Sequence, residues 1–257
     1  MSPHALAVIV VVALWWLSTG IVLKAVWLGR GASKISVGLF TVGAAAGLAG
    51  LYWTSGIASA RGAYAAFACS LLVWAWHELT FLLGIITGPR KVECPDDARG
   101  WRRFRLATAA VIHHEIALAL TVAVVACLTW GRPNQIGTST FLVLWIMRLS
   151  AKLNVFLGVR NVTEQFVPAH LRYMLSYFKR ARMNPLMPFS LVAASAVAVR
   201  LGIDSFADGD GLMVTGRSIV AALLALAVIE HVFLTLPLPD ALLWRWVIRK
   251  QQAQATR

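Results

Sequence analysis

Four of the six histidines in this 257-residue chain lie inside long apolar runs, and each belongs to a short string that also holds a glutamate. The strings are Trp76-His77-Glu78-Leu79, Ile112-His113-His114-Glu115-Ile116 and Ile229-Glu230-His231-Val232. Imidazole nitrogen with carboxylate oxygen is a donor set that suits iron, manganese or zinc, and a carboxylate can bridge two metals. The expected cofactor is therefore iron, as a di-iron centre, or another transition metal. Its candidate ligands are His77, Glu78, His113, His114, Glu115, Glu230 and His231, with Glu164 and His170 just beyond the fifth apolar run. Di-iron bundles commonly place Glu-x-x-His pairs on a helix. Here His and Glu are adjacent, about 100° apart around a helix, so they can line one cavity but do not stack on one face.

The fifth run adds Arg148, Lys152 and Asn154, with the two cations four residues apart on a shared face. Each charge at a helix centre in a bilayer costs about 2.5–3.5 kcal/mol, and five would cost about 12–17 kcal/mol. That exceeds the usual stability of a whole domain. These groups must pair, become neutral or bind a metal. Two further readings stay open beside the metal. One is a hydrogen-bonded or proton-relay network in which Arg148 or Lys152 bridges to the glutamates, or orients an anionic substrate group. The other is ligation of a tetrapyrrole. Ala109 and Ala110 sit one turn before His113 and His114, where small residues would let a macrocycle approach. Trp74, Trp76 and Trp145 lie deep enough to line a pigment or quinone pocket, although packing is the commoner role of such residues. Cys69, Cys94 and Cys127 have no metal-ligand spacing to one another.

The elements that must position these residues follow from composition. Hydrophobic residues make up 59% of the chain and charged residues 14%, with a mean hydropathy of +0.71. Soluble domains carry about 25% charged residues. Seven apolar runs approach the roughly 20 residues that a span needs: Ala5 to Leu28, Ile35 to Trp53, Ala63 to Ile86, Leu106 to Trp130, Phe141 to Val159, Leu186 to Leu201 and Ile219 to Leu236. Thr87-Gly88-Pro89, Gly131-Arg132-Pro133, and Pro237 with Pro239 read as stops. Unpaired backbone groups are intolerable in lipid, so the runs are helices. The fold class is all-α: a polytopic integral membrane bundle of seven transmembrane helices in a single domain over 1–257.

Loop charges orient it. Alternate loops carry 18 bases on one side and 4 on the other. By the positive-inside rule the N-terminus is periplasmic and the C-terminus cytoplasmic. The net charge of +13 then reports topology and contact with anionic lipid rather than a nucleic-acid partner. Residues 162–183 mix Phe166, Leu171, Tyr173, Met174 and Phe178 with bases, which reads as a cytoplasmic interfacial helix or an extension of helix five. His77 lies 12 residues before Pro89, His114 9 after Arg105 and Glu230 7 before Pro237. At 1.5 Å per residue these are depths of about 18, 14 and 10 Å, one shared band on the cytoplasmic half. Paired broken helices, the mark of a transporter, are not evident.

The strings His77-Glu78-Leu79-Thr80-Phe81-Leu82, Thr87-Gly88-Pro89-Arg90, His113-His114-Glu115 and Met147-Arg148-Leu149-Ser150-Ala151-Lys152-Leu153-Asn154 resemble the PuhE-like photosynthetic complex assembly proteins of purple phototrophic bacteria. Length and seven-run layout agree, and the resemblance covers nearly the whole chain. It implies a protein of the bacterial inner (intracytoplasmic) membrane that assists reaction-centre assembly or bacteriochlorophyll supply. Its partners would be reaction-centre or pigment-biosynthesis proteins. It implies no chemical mechanism. Three functions therefore stand. The first is an assembly protein whose His/Glu cluster binds metal. The second is an integral-membrane di-iron oxidase or oxygenase acting on a lipophilic small molecule such as a tetrapyrrole, carotenoid or quinone. The third is a tetrapyrrole-binding carrier.

Overall fold

A computed structural model describes residues 1–28, 30–162, 164, 167–207 and 209–236, with the side chains of 30–32 also outside it. The expected proline stop at Pro237 and Pro239, the tail bases, Thr163 and Phe166 lie outside the described residues. Seven described helices are long and apolar enough to cross a membrane: α1 Pro3–Val26, α2 Arg30–Ser55, α3 Ala60–Leu82, α4 Gly100–Thr129, α5 Ile136–Leu157, α6 Leu186–Ser205 and α7 Gly211–Thr235. The chain is a multi-pass helical membrane protein, and no strand occurs among the described residues.

Capping chemistry sets several boundaries that hydropathy alone misplaces. Ser2 accepts from the Ala5 N–H and Pro3 supplies the first helical position of α1. Asp210 accepts from the Met213 N–H at 2.8 Å, so α7 starts at Gly211, a full two turns before its apolar run. Helix α3 stops at Leu82, not at Gly88-Pro89. Gly84 takes φ 74°, and the Ile85 N–H turns back to the Thr80 carbonyl at 2.9 Å, closing the end with a left-handed cap.

Two asparagines staple the two ends of the bundle. At one end Asn134 donates to the Thr54 carbonyl at 2.9 Å and its Oδ1 accepts from the Ile136 N–H, tying the α4–α5 turn to the end of α2. His4 reaches Ser218 there at 2.9 Å, bringing the start of α1 onto α7. At the other, base-rich end, buried Asn184 donates to the carbonyls of Asn154 and Gly158 and caps the start of α6. Consecutive helices thus alternate in direction between these two ends.

Helices α3 and α7 are the most deeply buried. Phe67, Leu71, Ile219 and Leu223 form the main apolar cluster with Ala7 and Val11 of α1. Helix α2 lies against α3 through small residues: a Cβ on Gly47 would meet the Cys69 carbonyl at 2.8 Å and one on Gly50 the Cys69 sulfur at 2.4 Å. Close backbone approach of this kind supplies the dispersion contact that holds helices together where lipid removes the hydrophobic drive.

Among the described residues between α5 and α6, the chain neither extends α5 nor forms a long helix. Gly158, at φ 130°, ends α5, and residues Ala169–Tyr177 form a 3-10 helix. Its buried Leu171 and Met174 pack on Phe81. The His170 ring donates toward the Leu82 carbonyl at 3.1 Å. The segment therefore closes over the loop between α3 and α4.

Candidate functional site

Helices α3, α4 and α5 bring the two in-span glutamates of α3 and α4 onto the two cations of α5. Arg148 Nη2 donates to Glu78 Oε2 at 2.8 Å, and Lys152 Nζ to Glu115 Oε1 at 2.6 Å. The four-residue spacing of Arg148 and Lys152 is what allows one helix face to meet both acids. The pairs are not isolated, because Lys152 lies in the fields of Glu115, Arg148 and Glu78 together. The Trp145 indole donates to the second Glu115 oxygen at 3.3 Å, and Lys152 rests over the Phe81 ring at 4.9 Å. Glu78, Glu115, Arg148 and Lys152 thus each have an opposite charge within hydrogen-bonding distance, which answers the desolvation cost that the sequence poses for these four.

The adjacent histidines His113 and His114 part company, as their angular offset requires. His114 is wholly buried, whereas His113 is on the exposed face of α4. His114 lies 4.5 Å from the Phe81 ring and 6.2 Å from the His77 ring, centroid to centroid. Thr121 donates its hydroxyl to the Ala117 carbonyl, so it accepts from His77 Nε2–H at 2.9 Å. That fixes the tautomer of a neutral His77 and leaves its Nδ1 as a buried acceptor without a protein partner. Neither ring nitrogen of His114 has a protein partner.

The remaining candidates fall elsewhere. His231 donates from Nδ1 to the Ala227 carbonyl at 2.9 Å, so its Nε2 accepts from Ser150 at 3.0 Å. Asn154 donates to the Ser150 carbonyl and approaches Ser190, making a separate α5–α6–α7 junction. Glu230, next to His231 but turned away from it, bonds the Trp15 indole in the fields of Arg148 and Glu78. Glu164 pairs with Arg180 in the segment after α5. Glu164 and His170 therefore stay outside the band, at the base-rich end. Among the described residues, no three His, Cys, Asp or Glu side chains gather closely enough to hold one metal ion.

The space expected in front of Ala109 and Ala110 is filled by protein. The α3–α4 loop runs back along α4, where the Arg90 N–H donates to the Ala109 carbonyl at 3.2 Å and the His114 N–H to the Thr87 carbonyl at 3.0 Å. A Cβ on Gly88 would stand 2.2 Å from the Ala109 carbonyl oxygen. The small residues thus admit a glycine loop against the helix. The tryptophans are likewise engaged: Trp76 donates to Thr41 at 2.9 Å, and Trp74 packs edge-on to Phe141 at 5.6 Å. Beside the loop, burial pushes the Tyr173 phenol above its ordinary value, and Thr87 is its hydroxyl neighbour.

Sequence reasoning missed Phe81, Thr121 and Ser150. Phe81 falls within a motif string, but an apolar ring carries no chemical signal of its own. Ser150 lies two positions from both Arg148 and Lys152 on α5, and only the packing of α7 shows its use.

Residues 1–255 match the family described as a protein of unknown function, DUF3623. An uncharacterized 30.4 kDa protein in the puhA 5′ region of Rhodobacter capsulatus is 38% identical over 257 residues, covering 96% of this chain and 92% of that protein. No solved structure matches the chain. The chain belongs to the DUF3623 family.

Proposed function

We propose that the chain is an assembly protein for photosynthetic complexes, of the PuhE-like kind, resident in the bacterial inner membrane. Its N-terminus is periplasmic and its C-terminus cytoplasmic, and reaction-centre or pigment-biosynthesis proteins are its partners. The named locus of the Rhodobacter capsulatus relative, the puhA 5′ region, and the motif resemblance support the assignment. The observation that carries the molecular part is the double charge pair. Glu78 and Glu115 are occupied by Arg148 and Lys152, so the polar band ties α3, α4 and α5 into a fixed hub. A fixed hub suits a protein that presents a defined surface to membrane partners without turnover. The test is replacement of the relative in Rhodobacter capsulatus by this chain. Reaction-centre content comparable to the parent supports the proposal; content equal to that of the strain lacking both refutes it.

A second reading, a metal-binding protein or oxidoreductase, draws on one observation: the unbonded nitrogens of His77 and His114. Two imidazoles alone leave a transition metal short of ligands. An iron or di-iron centre would need Glu78 or Glu115 to leave its cation. Metal content of the purified chain decides it. Stoichiometric iron lost in Glu115→Ala favours the oxidoreductase, and a lipophilic tetrapyrrole that co-purifies without metal favours a carrier.

A further inference from the structure

At the base-rich end, the start of α4 and the end of the 3-10 segment border an open cavity of about 430 Å³ lined by Arg99, Gly100, Arg103, Ser176, Phe178 and Lys179. Three of its six lining residues are cations. None of the three forms an ion pair among the described residues. The same loop carries Glu93, Asp96 and Asp97; Asp97 is held by Arg102 at 2.5 Å, and that hydrogen bond, with a smaller contribution from the charge of Arg99, keeps its carboxyl below the usual range. The two arginines donate their hydrogen bonds to neutral carbonyl groups rather than to carboxylates. Arg103 donates to the Phe156 carbonyl at 3.3 Å and the Tyr177 carbonyl at 2.5 Å, with its guanidinium 4.4 Å over the Phe156 ring. Arg99 donates to the Asp96 and Ala98 carbonyls. A guanidinium has five N–H donors, so each arginine keeps donors beyond those it spends on its anchors.

We propose that this cavity binds a phosphate-bearing anion, supplied by the headgroup of an anionic membrane lipid. Pre-positioned arginines with spare donors match phosphate oxygens in charge and in hydrogen-bonding geometry. The depth of the cavity favours the lipid source. One residue along from Gly100, Trp101 is 70% exposed and stacks on Phe104 at 5.0 Å. Exposed indoles beside the first turn of a spanning helix mark the headgroup level of a bilayer. Basic pockets at that level recognise anionic headgroups. The same contact would brace the start of α4, which Arg103 already joins to α5 and to the 3-10 segment through its carbonyl partners.

The test uses the full chain purified in detergent, with native mass spectrometry and thermal unfolding as readouts. Phosphatidylglycerol, phosphatidylcholine and inorganic phosphate are the three probes. The expected result is retention of phosphatidylglycerol over phosphatidylcholine with a rise in Tm. Arg99→Gln with Lys179→Gln should weaken that retention about thirtyfold, from two bases lost near a membrane surface. Arg61→Gln, at the opposite end of the bundle, should leave it unchanged. Arg103 is kept, since its removal would also unfasten α4 from Phe156 and Tyr177. Equal binding of both lipids, or a double variant that binds phosphatidylglycerol as the parent does, overturns the site. Inorganic phosphate at millimolar concentration giving the full Tm rise and displacing the lipid overturns the lipid source.

Discussion

Breaking the Lys152–Glu115 pair from one side should hurt far more than removing it from both. The pair is 2.6 Å long, with side-chain exposures of 23% and 15%. At an effective dielectric near 20, two charges that close attract by about 6 kcal/mol. Desolvation offsets much of this, but truncating one partner of a buried pair leaves the other uncompensated, at a cost of about 3–5 kcal/mol. Glu115→Gln keeps an acceptor for the Trp145 indole while removing the charge, and Lys152→Met keeps the stem over Phe81. Each single variant should lose about 3–5 kcal/mol, whereas the double variant should fall within about 1–2 kcal/mol of the parent. The assay is a double-mutant cycle on SDS-induced unfolding of the purified chain, with residual folded fraction followed by tryptophan fluorescence. Additive losses, or singles indistinguishable from the parent, would refute the claim that these charges hold each other in place.

Other expectations follow from the same geometry. His114→Phe removes two buried nitrogens that have no protein partner, so thermal unfolding should show a stability equal to the parent or higher by about 1 kcal/mol; a marked fall in Tm with loss of bound metal would favour the oxidoreductase instead. Gly88→Ala drives a Cβ into the Ala109 carbonyl and should cost about 1–3 kcal/mol through the undocked loop, with protease cutting between α3 and α4 as a second readout. The raised Tyr173 phenol means that the folded state favours the protonated form. Its contribution is intact below the unfolded value of about 10 and is lost as pH rises through the raised one. Tyr173→Phe should therefore flatten the alkaline limb of a Tm-against-pH curve, and an unchanged limb would contradict the burial argument.

The helices were legible because a bilayer turns hydropathy into length. All seven expected runs coincide with helices. What escaped was polar. Asp210 and Ile136 start helices inside segments that looked like loop, because a cap and a staple from Asn134 outweigh local polarity. The band of charges was legible as a problem, since Glu78, Glu115, Arg148 and Lys152 cannot stand alone in lipid. Its solution was less so: the sequence shows that these residues need partners and leaves open whether the partner is a metal or another side chain. The fate of His113 depended on helix rotation, and that of Ala109 and Ala110 on a loop returning along α4. Neither is encoded within ten residues of the positions concerned.

The most direct measurement is the reaction-centre content of Rhodobacter capsulatus in which the relative is replaced by variants of this chain. If the band is a charge-paired hub, Glu115→Gln with Lys152→Met should restore reaction centres to the level of the unaltered chain, and each single variant should restore less in step with its loss of folded protein. A double variant that accumulates as stably as the parent yet restores nothing would contradict the account and make the paired charges themselves the agents of the chemistry.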